Sequence, residues 1–520
     1  MTKSKKIYVT TPIYYASGNP HIGHAYTTII ADAFASYNRM FGNDVILLSG
    51  MDEHGQKIAE KAAAAKMEVQ DFVDSIADKF LDLWKLLDIK FDRFVRTSSR
   101  EHCEVIQKVF EKLYETGNVY LGEWKGLYCV QCEENYAPKD VVKKEGKLYC
   151  KVGHVLTEKS EETYFLKLSA FQTWLEDFYK KNPNFIFPKE RIKELINNFI
   201  KPGLEDLSIT RTSFDWGAPT LSNPKHIIYV WIDALMSYLS GLGYLKKDDK
   251  LFKEFWQNKD AERVHIIGKE ITRFHGIYWP VMLHCLKLNQ PSRLLSHGWI
   301  VTKEGKMSKS LGNVIDPVKV IKQHGADFLR YFLLKTIKIE NDGIYSDDLT
   351  VELFNNDLAN NYGNFISRSL GMINKYAMGI IPKGDEVHPG VAAQNLINEV
   401  ASLISDLPQL VHDFDFVTLL TRTMTICSNG NKYIEDTKPW ELYKQNLTGD
   451  LNNFLNIVAN IAKVLTFVLS PILKNGTKEA CAQYNFDLSK MSLKSLLDFS
   501  QLAQHKVNLS KPIYQRIVKK

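Results

Sequence analysis

The chain has 520 residues, 45% of them hydrophobic and 24% charged, and is too long for one ordinary domain. This balance excludes a disordered, collagen-like or fibrous protein and leaves ample length for a buried core. The net charge of +6 permits a polyanionic partner but excludes a histone-like coat of positive charge. The seven cysteines cannot all pair, and two of them form a Cys-x-x-Cys, which in a reducing compartment reads as metal or redox chemistry. Too few residues precede the apolar run at Ile7 for a signal or transit peptide, and no uncharged apolar run reaches the roughly 18 residues of a membrane span. A soluble cytoplasmic protein is expected.

Ile7-Tyr8-Val9-Thr10 predicts a strand that ends in the turn-rich stretch from Tyr15 to Pro20. Ile30, Phe34, Tyr37 and Phe41 lie on one helical face, which Gly42-Asn43 terminates. Val45 to Leu48 suits a strand buried on both faces. Strand, helix, strand is a βαβ unit, so residues 1–117 read as the first half of a Rossmann-type α/β domain with a parallel sheet. Residues 118–225 hold the Cys-x-x-Cys, many lysines and two charged helical stretches, and read as an inserted module. The alternation resumes over 226–295, with His226 to Trp231 as a strand, then a helix, Val264 to Ile267 as a strand, and a second helix through Trp279. Residues 296–349 carry a lysine-rich loop. Over 350–520 strand signals fade, and Leu451, Phe454, Leu455, Val458, Ala462, Leu465 and Leu469 keep helical spacing up to Pro471. An all-helical end domain is expected there.

Two motifs carry chemistry. His21-Ile22-Gly23-His24 lies between the first strand and the first helix, where doubly wound sheets bind ligands and a helix N-terminus attracts anions. Gly23 permits close approach of a flat ring or a phosphate, and the two histidines can donate to phosphate oxygens. Lys306-Met307-Ser308-Lys309-Ser310 follows a polar, glycine-containing loop and suits a cationic clamp on a leaving polyphosphate. Separately, Cys129, Cys132, Cys150 and His154 are spaced Cys-x2-Cys and Cys-x3-His. That set is a closed tetrahedral site for one structural zinc ion, or else a reduced cluster without metal. Cys103, Cys285, Cys427 and Cys481 have no partner at ligand spacing and read as small core residues.

Together, in this order, the two motifs resemble the paired signature of class I aminoacyl-tRNA synthetases. Thr11 to Tyr15, Asp52-Glu53-His54-Gly55, Tyr229 to Ala234, Gly268 to His275 and His297-Gly298-Trp299 resemble the methionyl-tRNA synthetases. So do Asn360 to Asn364 and Lys438-Pro439-Trp440 in the helical end. The resemblance implies a methionine–tRNA ligase that joins methionine to ATP, with Mg2+, and passes methionine to the terminal adenosine of tRNA(Met), initiator tRNA included. It implies that His21, Gly23, His24, Lys306 and Lys309 bind ATP, with the two histidines and two lysines catalytic. Asp52 would hold the substrate ammonium, and Ile13, Tyr15, Trp231, Ala234, Leu235, Tyr238 and His297 would line the side-chain pocket, whose aromatic walls suit a thioether. Leu235 departs from the proline of some relatives. Asn364, Arg368 and Trp440 would read the anticodon by edge hydrogen bonds and stacking. Some relatives add a C-terminal module for tRNA and oligomer contacts; none is visible, and a monomer is expected. Another class I synthetase, of the cysteine or leucine type, and an inert tRNA-binding paralogue are the rival readings. The intact histidines and lysines argue against the second.

Overall fold

The computed structural model describes residues 4–132, 134–136, 141–144, 146–303, 305–307, 313–384 and 390–518. They divide into two compact units: Met1–Pro20 with Asp44–Trp84 and Lys90–His297, and His21–Asn43 with Lys85–Ile89 and Gly298–Lys520.

The first unit is built on a six-stranded sheet with every pairing parallel, in the order Arg93–Arg96, Asp44–Asp52, Lys6–Tyr15, Glu262–Gly268, Arg293–His297, Ile186–Phe187. Its inner strands are nearly continuous runs of buried residues, as a sheet covered on both faces requires. The helices Arg100–Glu115 and Val230–Ser240 pack into one core through Val105, Ile106, Val109, Leu235, Met236 and Leu239. Parallel registry brings Tyr15 beside Asp52, and Gly268 beside His297, at the carboxyl edge of the sheet.

Two elements differ from the sequence reading. The strand expected over His226 to Trp231 is only Ile227–Ile228, paired antiparallel with Thr210–Arg211, and the helix begins at Val230. That helix is buried almost all round, so its first turn is as apolar as a strand, and the run carries no period that tells the two apart. Within 118–225, Ile186–Phe187 adds an edge strand to the parallel sheet beside Arg293–His297. The same range also holds the helices Gln172–Lys181 and Glu190–Leu195, an antiparallel sheet of Leu207–Ser208, Thr157–Leu166, Val119–Cys129 and Glu134–Tyr136, and a hairpin of Val142–Lys144 and Lys147–Tyr149.

The second unit contains the helix Ile22–Met40 and a small sheet in which Ile300–Thr302 pairs with Gly305–Lys306 and Gly343–Ile344. From Asp347 onward every described element is a helix, with one isolated bridge between Ile380 and Lys506. The helix Thr448–Leu469 is long and apolar enough to cross a membrane by length and composition, yet 89% of its apolar window is buried within the protein. A helix apolar on all sides suits the centre of a bundle. Fully buried Arg330 ties this unit together. It donates to the Asp32 carboxylate at 2.6 Å and to the carbonyls of Pro471 at 2.7 Å and Ile472 at 2.8 Å, while Lys474 holds the other Asp32 oxygen at 3.0 Å. Asp327 similarly accepts from the backbone N–H of Gly476 at 2.7 Å and from the Tyr514 hydroxyl at 2.8 Å.

Candidate active site

In the first unit, the residues read as an amino-acid pocket come from strand ends and one helix. Ile13, Asp52 and His297 are buried on the strands Lys6–Tyr15, Asp44–Asp52 and Arg293–His297, and Tyr15 is half-buried on the first of these. Ala234, Leu235 and Tyr238 are buried on the helix Val230–Ser240, with Trp231 half-buried in its first turn. The Trp231 ring stacks on Phe274 at 3.6 Å between centroids, and the Tyr238 hydroxyl meets His275 Nε2 at 2.7 Å. His275 Nδ1 faces the Ile271 carbonyl at 3.1 Å, so that nitrogen carries the proton and Nε2 accepts from Tyr238. Burial pulls the His275 imidazole down to about 4, which keeps it neutral. Burial also raises the Tyr238 phenol, and the nearby Tyr14 and Asp52 raise it further, so its proton stays on and donates. Phe274 and His275 were not singled out as pocket residues from sequence; the stretch Gly268 to His275 that contains them was the signal available.

In the second unit, His21 and His24 form a reciprocal cap on the helix Ile22–Met40. The Gly23 N–H donates to His21 Nδ1 at 3.1 Å, and the His21 N–H donates to His24 Nδ1 at 3.1 Å. An Nδ1 that accepts a backbone N–H holds no proton, so each neutral ring carries its proton on Nε2 and presents a donor there. The two rings stack at 3.7 Å. A Cβ on Gly23 would lie 3.0 Å from two atoms of the His21 ring, so a side chain there would have to push that ring by a few tenths of an ångström. The Ile22 N–H donates to the Ile315 carbonyl at 3.1 Å, which brings the chain beyond the lysine motif against this helix start. Gly305–Lys306 is a strand paired with Ile300–Thr302 through a turn in which Gly305 has φ +106°. The Lys306 side chain and all of Lys309 lie outside the described residues.

The four metal-ligand candidates come together in the first unit, with their donor atoms all within 4.8 Å of one another. Cys132 Sγ lies 3.8 Å from Cys150 Sγ and 3.3 Å from His154 Nδ1, and Cys129 Sγ lies 3.8 Å from His154 Nδ1. Tetrahedral zinc with bonds of about 2.3 Å to sulfur sets neighbouring thiolates roughly 3.8 Å apart, so the donor set fits. Backbone N–H groups of Cys132 and His154 donate to Cys129 Sγ at 3.4 Å and Cys150 Sγ at 3.3 Å, as thiolate charge requires. Gly153, at φ +93°, makes the turn between Cys150 and His154. Without metal, burial pushes the Cys132 thiol up to about 12. Of the remaining cysteines, Cys427 is buried and Cys103, Cys285 and Cys481 are half-buried.

In the helical end, Asn364 and Arg368 lie one turn apart on the helix Asn364–Ala377. Their partners are also one turn apart, on Phe416–Thr437: Asn364 Nδ2 donates to Asn431 at 3.0 Å, and Arg368 pairs with Glu435 at 2.7 Å. Trp440 follows Pro439 in the first turn of the next helix, Pro439–Lys444, and is half-buried.

The tRNA synthetases class I (M) family model matches residues 7–370. The chain belongs to that family. The methionine–tRNA ligase of Ureaplasma parvum is 50% identical over 521 residues, covering 100% of this chain and 99% of that protein. The Bacillus subtilis methionine–tRNA ligase is 40% identical, covering 99% of this chain and 78% of that protein. Among solved structures, Mycobacterium tuberculosis methionyl-tRNA synthetase in complex with methionyl-adenylate superimposes with a TM-score of 0.93 at 33% identity, over 98% of this chain and 100% of that one.

Proposed function

We propose that the chain is an ATP-dependent methionine–tRNA ligase. It activates methionine to methionyl-adenylate with release of pyrophosphate, then transfers methionine to the 3′-terminal adenosine of tRNA for translation. The observation that carries the reading is the paired histidine cap, because it sets two neutral Nε2–H donors at a helix N-terminus, an arrangement suited to phosphate oxygens. The relatives' shared activity supplies the amino acid.

The methionine carboxylate attacks the α-phosphate, the bond to the bridging oxygen breaks, and pyrophosphate leaves. No protein nucleophile is needed; positioning and charge stabilisation suffice. We assign His21 and His24 to the phosphates and Gly23 to the close approach of adenosine. Lys306 and Lys309 neutralise the polyphosphate as it leaves. Asp52 takes the methionine ammonium, and Ile13, Tyr15, Trp231, Ala234, Leu235, Tyr238 and His297 surround the thioether. Mg2+ enters with ATP as part of the substrate. Homocysteine lacks only the terminal methyl, so fit alone separates the two by roughly 1–3 kcal/mol.

Cys129, Cys132, Cys150 and His154 would hold one zinc ion, which with four protein ligands supplies structure and no open position for chemistry. Asn364, Arg368 and Trp440 contact the anticodon, and initiator tRNA is among the substrates. The working location is the cytoplasm, where tRNA is charged for translation. The enzyme acts as a monomer; a dimer mass in light scattering at micromolar concentration would refute that. ATP–pyrophosphate exchange with each standard amino acid tests the whole reading. Methionine-dependent exchange supports it, cysteine- or leucine-dependent exchange points to another class I enzyme, and tRNA binding without any exchange points to an inert paralogue.

A further inference from the structure

The first unit contains a buried charge cluster that the mechanism above does not use. Asp233, fully buried in the first turn of the helix Val230–Ser240, receives His54 Nδ1 at 2.7 Å on one carboxylate oxygen and His102 Nε2 at 2.9 Å on the other. His102 Nδ1 meets Ser240 Oγ at 2.8 Å on the last turn of the same helix. His54 and His102 are themselves 4% and 1% exposed, so the cluster is sealed from water. Sealing charge away is costly, and well-packed apolar side chains of the same size often give equal or greater stability. What such a cluster supplies is a fixed geometry, because its hydrogen bonds are directional where apolar contacts are not.

The geometry it fixes is that of the chain leaving the second strand. His54 is two residues beyond Asp52. On its other side the turn is gripped by Trp216, whose indole N–H donates to the Glu53 carbonyl at 2.6 Å and whose carbonyl accepts from the Gly55 N–H at 3.1 Å. The Trp216 ring meets the His54 ring edge-on at 5.8 Å. Glu53 is buried in turn against Arg96 Nε at 2.7 Å. Every residue from Glu53 to Gly55 therefore has a directional partner outside the turn, and the one reaching the pocket helix is the His54–Asp233 pair.

We infer that Asp233 and His54 are positioning residues for methionine: their hydrogen bond holds the turn that aims the Asp52 carboxylate at the substrate ammonium and ties it to the helix bearing Trp231, Ala234, Leu235 and Tyr238. This rests on the reading of Asp52 as the ammonium partner. The charge state supports it. Burial alone would pull the His54 imidazole down, but the Asp233 carboxylate outweighs it and holds the ring protonated, at about 10. Burial likewise pushes Asp233 up, and the two histidines bring it to about 2.

The test measures methionine and ATP KM in pyrophosphate exchange, and methionine Kd without ATP, for Asp233→Asn, His54→Ala and His54→Asn, each alone and with Asp52→Asn. Asparagine at 54 offers an amide N–H where Nδ1 stands, so it keeps the bond to Asp233 without the ring. His54→Ala and Asp233→Asn should raise methionine Kd and KM by about tenfold or more, with ATP KM within about twofold. His54→Asn should stay within about threefold of wild type. Added to Asp52→Asn, His54→Ala should cost less than about threefold, because the group it aims is already lost. Unchanged methionine Kd in Asp233→Asn, equal rises in both KM values, or full additivity with Asp52→Asn would overturn the inference. Wild-type methionine Kd in Asp52→Asn alone would instead overturn the reading of Asp52. Should His54→Ala not fold, Asp233→Asn and His54→Asn carry the same comparison.

Discussion

Replacing His24 by asparagine or by glutamine separates the two jobs that its ring performs. In His24→Asn the side-chain oxygen stands where Nδ1 stood, 3.1 Å from the His21 nitrogen in the unsubstituted protein, and accepts that N–H, so the cap survives while the Nε2–H donor is lost. In His24→Gln the longer amide can turn its oxygen back to accept the His21 N–H, as glutamine at this position of a capping box does, or extend its N–H about as far as Nε2. A lost cap costs about 1 kcal/mol of stability. A lost preorganised donor to developing phosphate charge costs about 2.7–4 kcal/mol in the transition state, or about 10²–10³ in rate. His24→Asn should therefore keep wild-type stability to about 0.5 kcal/mol and lose about 10²–10³ in pyrophosphate exchange. His24→Gln should keep wild-type stability to about 0.5 kcal/mol and lose about tenfold or less in rate, the cost of giving up the cap when its N–H turns to phosphate. Methionine binding without ATP should match wild type in both. The assay is exchange kinetics beside urea denaturation. Equal rate losses in the two variants, or an asparagine variant that keeps more than about a third of the wild-type rate, would refute the division of roles.

Lys309→Ala should cut adenylate formation by about two orders of magnitude with methionine affinity unchanged, and exchange at the wild-type rate would remove the lysine from the mechanism. Trp440→Ala should weaken tRNA charging and spare pyrophosphate exchange; equal loss of both would make the residue structural. Protein purified without chelator should carry one zinc ion, and Cys150→Ser should lose it with release of the Cys129–His154 region to proteolysis; less than about half an equivalent in the wild type would favour a metal-free cluster. His54, raised from 6.5 to about 10, contributes stability that is full below about 6.5 and fades as pH rises through 10. Asp233, lowered from 3.8 to about 2, contributes stability that is full above about 3.8 and fades as pH falls through 2. The stability of wild type to urea should thus fall from pH 6 to pH 10, and Asp233→Asn should flatten that decline; parallel curves for the two proteins would contradict the pairing.

The parallel sheet was legible because its inner strands need no alternation: Val45 to Leu48 and Val264 to Ile267 are apolar on both faces, and that pattern is local. The helix start at His21 was legible for the same reason, since cap and motif share four residues. The edge strand Ile186–Phe187 was not, because two residues carry no period and its partner strand lies about a hundred positions away at Leu294 and Leu295. Nor was the charge cluster, whose members are separated by 179 and 131 positions. Local pattern reports burial and turns; it cannot report which buried carboxylate meets which imidazole. The four zinc ligands fall between these cases. Their spacing pairs them two by two, and the antiparallel strands Val119–Cys129 and Thr157–Leu166 help bring the pairs together.

Histidine shows why the partner, rather than the residue type, sets the chemistry. The chain has 14 histidines, a number that by itself assigns none of them a task. At His21 and His24 a backbone N–H occupies Nδ1, which forces the neutral ring and leaves Nε2–H to donate. At His275 a carbonyl occupies Nδ1, which reverses the tautomer, and Tyr238 becomes the donor to Nε2. At His54 a buried carboxylate occupies Nδ1, and the ring is charged. Protonating His21 or His24 would break the cap that holds the helix start, and neutralising His54 would leave Asp233 with a weaker partner. A ligase that joins an amino-acid carboxylate to a polyphosphate needs hydrogen-bond donors and cations on the phosphate side and a fixed anion for the ammonium. On the assignment proposed above, the capped histidines add neutral donors to the first, and the His54–Asp233 pair holds Asp52 in place for the second.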